Sequence, residues 1–255
     1  MIVDCFVFDD EFDMLDCRIY QLRGIVDLFV AIEGNMTFMG EPKPYRLSEN
    51  LSRYPDAPIE VVRADLDDLS GTKIYQHGYL NSETTPAWTR DSKQRDYAND
   101  LLADLPGDSV VIYGDVDEIP SREVVSLFDG QPSTIGAVHL IYSTTLRYKD
   151  AWYGQVIGRR DQLGGPAATR LDRLKFPRIE SAGWHLSWFG TPEDRIRKLM
   201  HFSHHELVET VGDRVGSEYP AAHRHVDGSD LHPWTGNVPH WVADGLAPAH
   251  WTQTW

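Results

Sequence analysis

The chain has 255 residues and a formal net charge of −15, from 24 Lys and Arg against 39 Asp and Glu. With 41% hydrophobic and 25% charged residues it reads as a globular chain long enough to bury a substantial core. So acidic a surface sets it against duplex nucleic acid, and no window is apolar for long enough to span a bilayer.

Residues 2–8 (IVDCFVF) are expected to form a first strand, too short and too acidic in its flanks for a signal peptide. Cys5 and Cys17, the only cysteines, read as free thiols of a reducing compartment, so the expected location is cytoplasmic. Residues 12–24 carry Phe12, Leu15, Ile19 and Leu22 at helical spacing, with Gly24 as a C-cap. Strands are expected at 27–33 and 59–63. A helix at 89–105 is stopped by Pro106 and Gly107 and followed by a strand at 110–113. A helix near 121–128 and a strand at 135–142 complete the clear part of the pattern. This alternation predicts an α/β fold, a mostly parallel sheet flanked by helices. Beyond about residue 161 the chain is richer in Gly, Pro, His and Trp. One amphipathic helix is expected at 192–211, and 212–255 reads as an irregular C-terminal extension. No repeat or linker divides the chain, so 1–255 reads as a single domain.

The chemistry concentrates at residues 109–120, SVVIYGDVDEIP. An apolar strand ends in Gly114 and delivers Asp115 and Asp117. Carboxylates two apart on an extended chain point to opposite sides, but a turn after Gly114 can swing both toward one hard cation. The competing reading is capping of the helix that starts near Pro120 and Ser121. The first strand ends in Asp9, Asp10 and Glu11 and the second in Glu33, placing acids on the rim where open α/β sheets bind ligands. Carboxylates there suit ribose hydroxyls or a base N–H, with Phe8 stacking. Asp10 and Glu11 serve equally as helix caps, whereas Glu33 precedes no helix. Arg95, in the helix before the DVD strand, suits a diphosphate or a brace for the DVD loop.

Residues 183–190, GWHLSWFG, read as a loop between glycines. Trp184 and Trp188 flank His185 and Ser187, a mixture that suits a sugar, with ring faces on the indoles and hydroxyls on polar partners. His185 can ligate a metal, act as a base or bind a hydroxyl. His201, His204 and His205 fall on the late helix, but Glu206 follows them, which is not the order of a HExxH metalloprotease. The tail histidines read as structural or surface groups.

Taken in order, the blocks at 4–22 (DCFVFDDEFDMLDCRIYQL), 26–44, 88–102 (WTRDSKQRDYANDLL), 115–120 (DVDEIP) and 183–206 (GWHLSWFGTPEDRIRKLMHFSHHE) resemble glycosyltransferase family 17. The resemblance implies a GT-A type, Rossmann-like fold and an inverting transfer from a nucleotide sugar, most simply a UDP-sugar carrying N-acetylglucosamine. It implies Mn2+ or Mg2+, and an acceptor hydroxyl on a glycan, a glycosylated molecule or a protein. On that basis residues 1–120 form the nucleotide-sugar half, and 121–255 the acceptor side. Asp115 faces the ribose or metal, Asp117 is the principal metal ligand and His204 a further metal or phosphate ligand. Phe8, Asp10, Glu11 and Glu33 line the nucleoside pocket, and Arg95 supports the diphosphate. Trp184, His185, Ser187 and Trp188 form the sugar and acceptor side. The base that takes the acceptor proton is His185, Glu118 or Glu180, with His185 preferred. Two other readings stand beside this one: a non-catalytic carbohydrate-binding protein on the same fold, and a DxD phosphohydrolase of the haloacid dehalogenase type.

Overall fold

The computed structural model describes residues 1–72, 85–203, 224–225 and 227–253. Strands β1 (Ile2–Phe8), β2 (Leu28–Gly34), β3 (Ile59–Ala64) and β4 (Val110–Asp115) form a parallel half-sheet in the order β3-β2-β1-β4. Helices α1 (Phe12–Leu22), α2 (Arg46–Glu49), α3 (Pro86–Asp96) and α4 (Asn99–Ala103) connect them. Side-chain alternation splits this half into two cores. Val3 and Cys5 of β1 pack with Val30, Ile32, Val111, Tyr113 and Leu102 of α4. Phe6 and Phe8 pack on the other face with Leu15 and Leu22 of α1, Phe29 and Ile112.

Beyond the DVD turn the chain adds β5 (Glu118–Pro120), α5 (Arg122–Ser126), β6 (Ser133–Ile141), β7 (Leu146–Arg147) and β8 (Trp152–Arg159). It continues through α6 (Pro166–Asp172), β9 (Arg178–Ile179), β10 (Gly183–Ser187), α7 (Pro192–His201), β11 (His232–Pro233) and α8 (His240–Ala243). Strand β8 joins the halves, antiparallel to both β4 and β6, while β10 runs parallel to β6 and antiparallel to β5. The expected α/β fold, a sheet flanked by helices, is therefore present, parallel throughout its first half and mixed in its second.

Several boundaries differ from expectation. The helix expected at 89–105 starts earlier and divides, because Thr85 caps α3 with Pro86 in its first turn and the chain turns at Tyr97 and Ala98. Strand β8 gave no strand signal because Gly154 and Gly158 interrupt it. Gly154 is required there, since a Cβ would overlap the Glu118 carboxylate and the Trp152 indole. Helix α7 starts at a capping box of Thr191 and Asp194 and closes at His201. The expected continuation through His204 and His205 lies outside the described residues. Residues 227–253 of the expected C-terminal extension hold only short elements and pack into the core: Trp251 is fully buried, with ring centroids 4.9 Å from Phe189 and 5.2 Å from Trp241. Among the described residues no helix is long and apolar enough to cross a membrane.

Candidate active site

A cavity of about 420 Å³ opens at the carboxyl ends of β1 and β4, lined also by residues of α3, α6, β10 and α7. Asp115 shares a strand face with Val111 and Tyr113, so it emerges under α3 and meets Arg95 there, with Oδ1 2.7 Å from Nη1. Its Oδ2 accepts from Arg170 Nη2 of α6, also at 2.7 Å. Burial opposes ionisation of Asp115, but Arg170 and Arg95 outweigh it and hold the carboxyl at about 2 against an ordinary 3.8. Arg170 Nη1 donates to both oxygens of Glu118 at 2.8 Å, and Trp152 Nε1 donates to Glu118 Oε1 at 2.5 Å. The Asp115 N–H donates to Glu118 Oε2 at 2.8 Å.

Asp117 lies on the turn between β4 and β5. Its Oδ2 accepts from Lys198 Nζ of α7 at 2.6 Å and stands 3.6 Å from His185 Nε2. Burial again opposes the charge, yet Lys198 and His185 keep Asp117 far below the usual carboxylate range. Burial likewise works against the Lys198 ammonium, and Asp117 and Glu11 more than offset it, so Lys198 stays protonated. The His185 ring is stacked on both His139 and Trp152, each with centroids 4.5 Å away, and those two rings meet at 5.5 Å. Burial, then His185 and His225, push His139 well below its usual pKa, so it is neutral at pH 7. His185 Nδ1 and His139 Nε2 are buried without a hydrogen-bond partner among the described residues. At the end of β1, Asp9 joins His201 Nδ1 at 2.7 Å and Lys43 Nζ at 3.1 Å.

The structure brings Glu11, Arg95, Asp115, Asp117, His185, Ser187 and Trp188 to this cavity. Trp188 reaches it because a left-handed backbone, φ 59°, ends the alternation of β10. Other expectations are corrected. Phe8 is fully buried against Phe12 in the α1 core, so it has no free face for a base. Glu33 does cap a helix, one distant in sequence: it accepts from Leu47 N at 2.7 Å and Ser48 N at 3.1 Å at the start of α2. Trp184 faces the core because 183–187 is a strand rather than a loop, and its Nε1 donates to Asn237 O at 3.0 Å. Glu118, fully buried and saturated by Arg170, Trp152 and the Asp115 N–H, is a structural carboxylate and not a base. Glu180 sits exposed outside the cavity, accepting from Tyr153 Oη at 2.8 Å. Asp10 turns away to Arg197 and Arg46, at 3.5 and 3.6 Å, in a second cavity of about 200 Å³ beyond Glu11 and Lys198. Burial raises the pKa of both Asp10 and Glu11. His204 lies outside the described residues.

Sequence reasoning missed Arg170, Lys198, His139 and Trp152. Arg170 and Trp152 sit on elements that gave no pattern, but Lys198 precedes His201 by one turn on the helix that was expected. It also missed Arg18, fully buried on α1, which binds Asp4 at 2.6 and 2.7 Å and donates to the carbonyls of Asp115 and Glu118. That arginine ties the DVD turn to the core.

A metal places its own demands on these groups. Among the described residues no three His, Cys, Asp or Glu side chains converge as a ready ligand set. Both oxygens of Asp115 face guanidinium groups, so as placed it is no ligand. Asp117 does fit: its carboxylate already holds a cation, and a magnesium-like ion beside a nucleotide takes one or two carboxylates, with phosphate and water completing its shell.

Acids at the strand ends meet arginines of α3 and α6 around one cleft, which places the candidate site of this α/β fold at the carboxyl edge of its parallel half-sheet. Residues 1–231 match glycosyltransferase family 17, and the chain belongs to that family: it is a glycosyltransferase, an enzyme that transfers a sugar. The β-1,4-mannosyl-glycoprotein 4-β-N-acetylglucosaminyltransferases of Rattus norvegicus and Homo sapiens are each 26% identical to it over 235 residues. The match covers 78% of this chain and 42% of each relative, so the chain spans less than half their length. A solved galactosyltransferase, LgtC, in complex with donor and acceptor sugar analogues, aligns with 98% of this chain and 92% of its own at 12% identity, with a TM-score of 0.35.

Proposed function

We propose that this protein transfers an N-acetylhexosamine from a nucleotide-sugar donor, UDP-N-acetylglucosamine first among them, to an acceptor hydroxyl with inversion at the anomeric carbon. The acceptor is a glycan, a glycosylated molecule or a protein. The observation that carries the reading is the pairing of His185 with Asp117 at 3.6 Å, in the same cavity as Arg95, Arg170 and Lys198. The N-acetylglucosaminyltransferase activity for which the relatives are named supports the choice of sugar.

A donor diphosphate needs cations, and this acidic chain gathers them here. Arg173 also lines the cavity and forms no ion pair among the described residues. Burial, then Arg170, push its pKa down to about 10, so an anion beside it is favoured. With Nε2 facing Asp117 at 3.6 Å, we assign the ring proton to Nε2 and the lone pair to Nδ1, the nitrogen without a hydrogen-bond partner among the described residues. That nitrogen takes the proton from the acceptor hydroxyl as the hydroxyl attacks C1 opposite the leaving diphosphate. Asp117 would hold a divalent cation, Mn2+ or Mg2+, whose charge would offset that building on the diphosphate. Asp115, with both oxygens on arginines, is a poor nucleophile, which weighs against phosphohydrolase chemistry through a phosphoaspartate.

In this reading residues 1–120 supply Arg95 and Asp117 to the donor, while 121–255 supply His185 and the acceptor side. The two cysteines are buried thiols, suited to a reducing compartment such as the cytoplasm. The test is a panel of UDP-, GDP- and dTDP-sugars with Mn2+ or EDTA, following thermal shift and nucleotide release by the wild type and Asp117→Asn. Metal-dependent stabilisation by one UDP-sugar, with release that Asp117→Asn abolishes, is expected. Binding of glycans but of no nucleotide sugar would replace this reading with a carbohydrate-binding protein.

A further inference from the structure

We propose that Lys198 is an internal counter-ion for Asp117, holding the cation position until a divalent metal and a nucleoside diphosphate arrive together. The inference rests on the reading of Asp117 as the metal ligand.

Geometry carries the argument. The Lys198 ammonium meets Asp117 Oδ2 at 2.6 Å, the oxygen that also faces His185. A dication and an ammonium cannot share that carboxylate in a part-buried setting without strong repulsion, because charges a few ångströms apart are poorly screened there. Asp117 must therefore give up the ammonium to take a metal. Taking Asp117 away from the part-buried Lys198 ammonium is costly, which opposes metal binding by the protein alone. A diphosphate removes that cost by offering the ammonium new oxygens. Lys198 has room to move, since it lines both the 420 Å³ and the 200 Å³ cavities, with the Glu11 carboxylate between them. Its helix need not move, because His201 on the same face holds Asp9 at 2.7 Å and Arg197 faces Asp10 at 3.5 Å. Metal and nucleotide are thus admitted as a pair. The sequence alone could not show this, as Lys198 and Asp117 stand 81 positions apart.

Binding of Mn2+ is measured by the loss of the free-ion electron paramagnetic resonance signal, with and without UDP, for the wild type, Lys198→Met, Lys198→Gln, Lys198→Arg and Asp117→Asn. Lys198→Met and Lys198→Gln are expected to bind Mn2+ alone about tenfold or more tightly than the wild type, a change of the size seen for groups adjoining metal ligands. UDP should tighten Mn2+ binding strongly in the wild type and in Lys198→Arg, and only slightly in the two neutral variants. Lys198→Met should melt lower than the wild type in EDTA and recover with Mn2+. The glutamine variant keeps a hydrogen bond to Asp117 and serves if methionine prevents folding. Neutral variants that bind Mn2+ no more tightly than the wild type, while Asp117→Asn abolishes binding, would overturn the counter-ion role and leave the metal reading standing. Mn2+ binding by no variant, or binding indifferent to Asp117→Asn, would overturn both.

Discussion

Two arginines hold Asp115, while a lysine and a histidine hold Asp117, although the two aspartates are separated by a single valine. The difference follows from the turn. Asp115 still obeys the strand alternation that sends it under α3, and Asp117 has left it. Asp115 should therefore be a stabilising residue as much as a functional one. Its folded carboxyl titrates at about 2 and its ordinary value is 3.8, so the folded state favours the ionised form by about 2 kcal/mol. Because the shift is downward, this contribution is complete above the unfolded value and is lost as pH falls through the folded one. Urea unfolding of the wild type and Asp115→Asn should differ by about 2 kcal/mol at pH 7, with the gap closing between about pH 4 and pH 2. A gap that stays constant down to pH 2 would show that the arginines do not act through the charge of Asp115.

Secondary-structure elements decide which of the expected residues reach the cavity. Strand β10 sends His185 and Ser187 one way and Trp184 and Leu186 the other. Read as a loop, the same letters place Trp184 in the site beside His185 and Ser187, and only the pairing with β5 and β6 distinguishes the two cases. Helix α2 shows the reverse problem. Glu33 precedes no helix in sequence, but the fold returns the chain so that Leu47 and Ser48 offer it their N–H groups. Glu33→Gln should cost about 1–2 kcal/mol in denaturant unfolding, as loss of a charged buried cap. Nucleotide binding should stay unchanged, and a loss of UDP affinity without a loss of stability would return Glu33 to the site. Helix α1 carries a larger share through Arg18. Arg18→Met leaves Asp4 buried without a partner and frees the carbonyls of the DVD turn, so a loss of about 3–5 kcal/mol is expected. If stability fell by less than about 1 kcal/mol, Arg18 would not be what fixes the turn.

Across the whole molecule, the parallel half-sheet was legible because β1, β2 and β4 are buried apolar runs bounded by turn residues. Of the strands in the mixed half β6 alone was expected as one, because β5, β7 and β9 are two or three residues long and β8 is broken by glycine. The candidate site followed the same division. Asp115, Asp117 and Arg95 could be found from the strand end and the helix before it, and His185 from its unusual neighbours. Arg170, His139 and Lys198 could not, since each acquires its role only by meeting a residue far off in sequence. An acidic chain thereby gathers its cations from α3, α6 and α7 into one cavity. The activity assigned to that cavity turns on the His185–Asp117 pair. The most direct test is the rate of nucleotide release from UDP-N-acetylglucosamine, with its acceptor present, by the wild type and His185→Asn. Loss of a general base should lower kcat by about 10²-fold or more with little change in donor KM. An unchanged kcat in a folded His185→Asn enzyme would place the chemistry elsewhere and contradict this account.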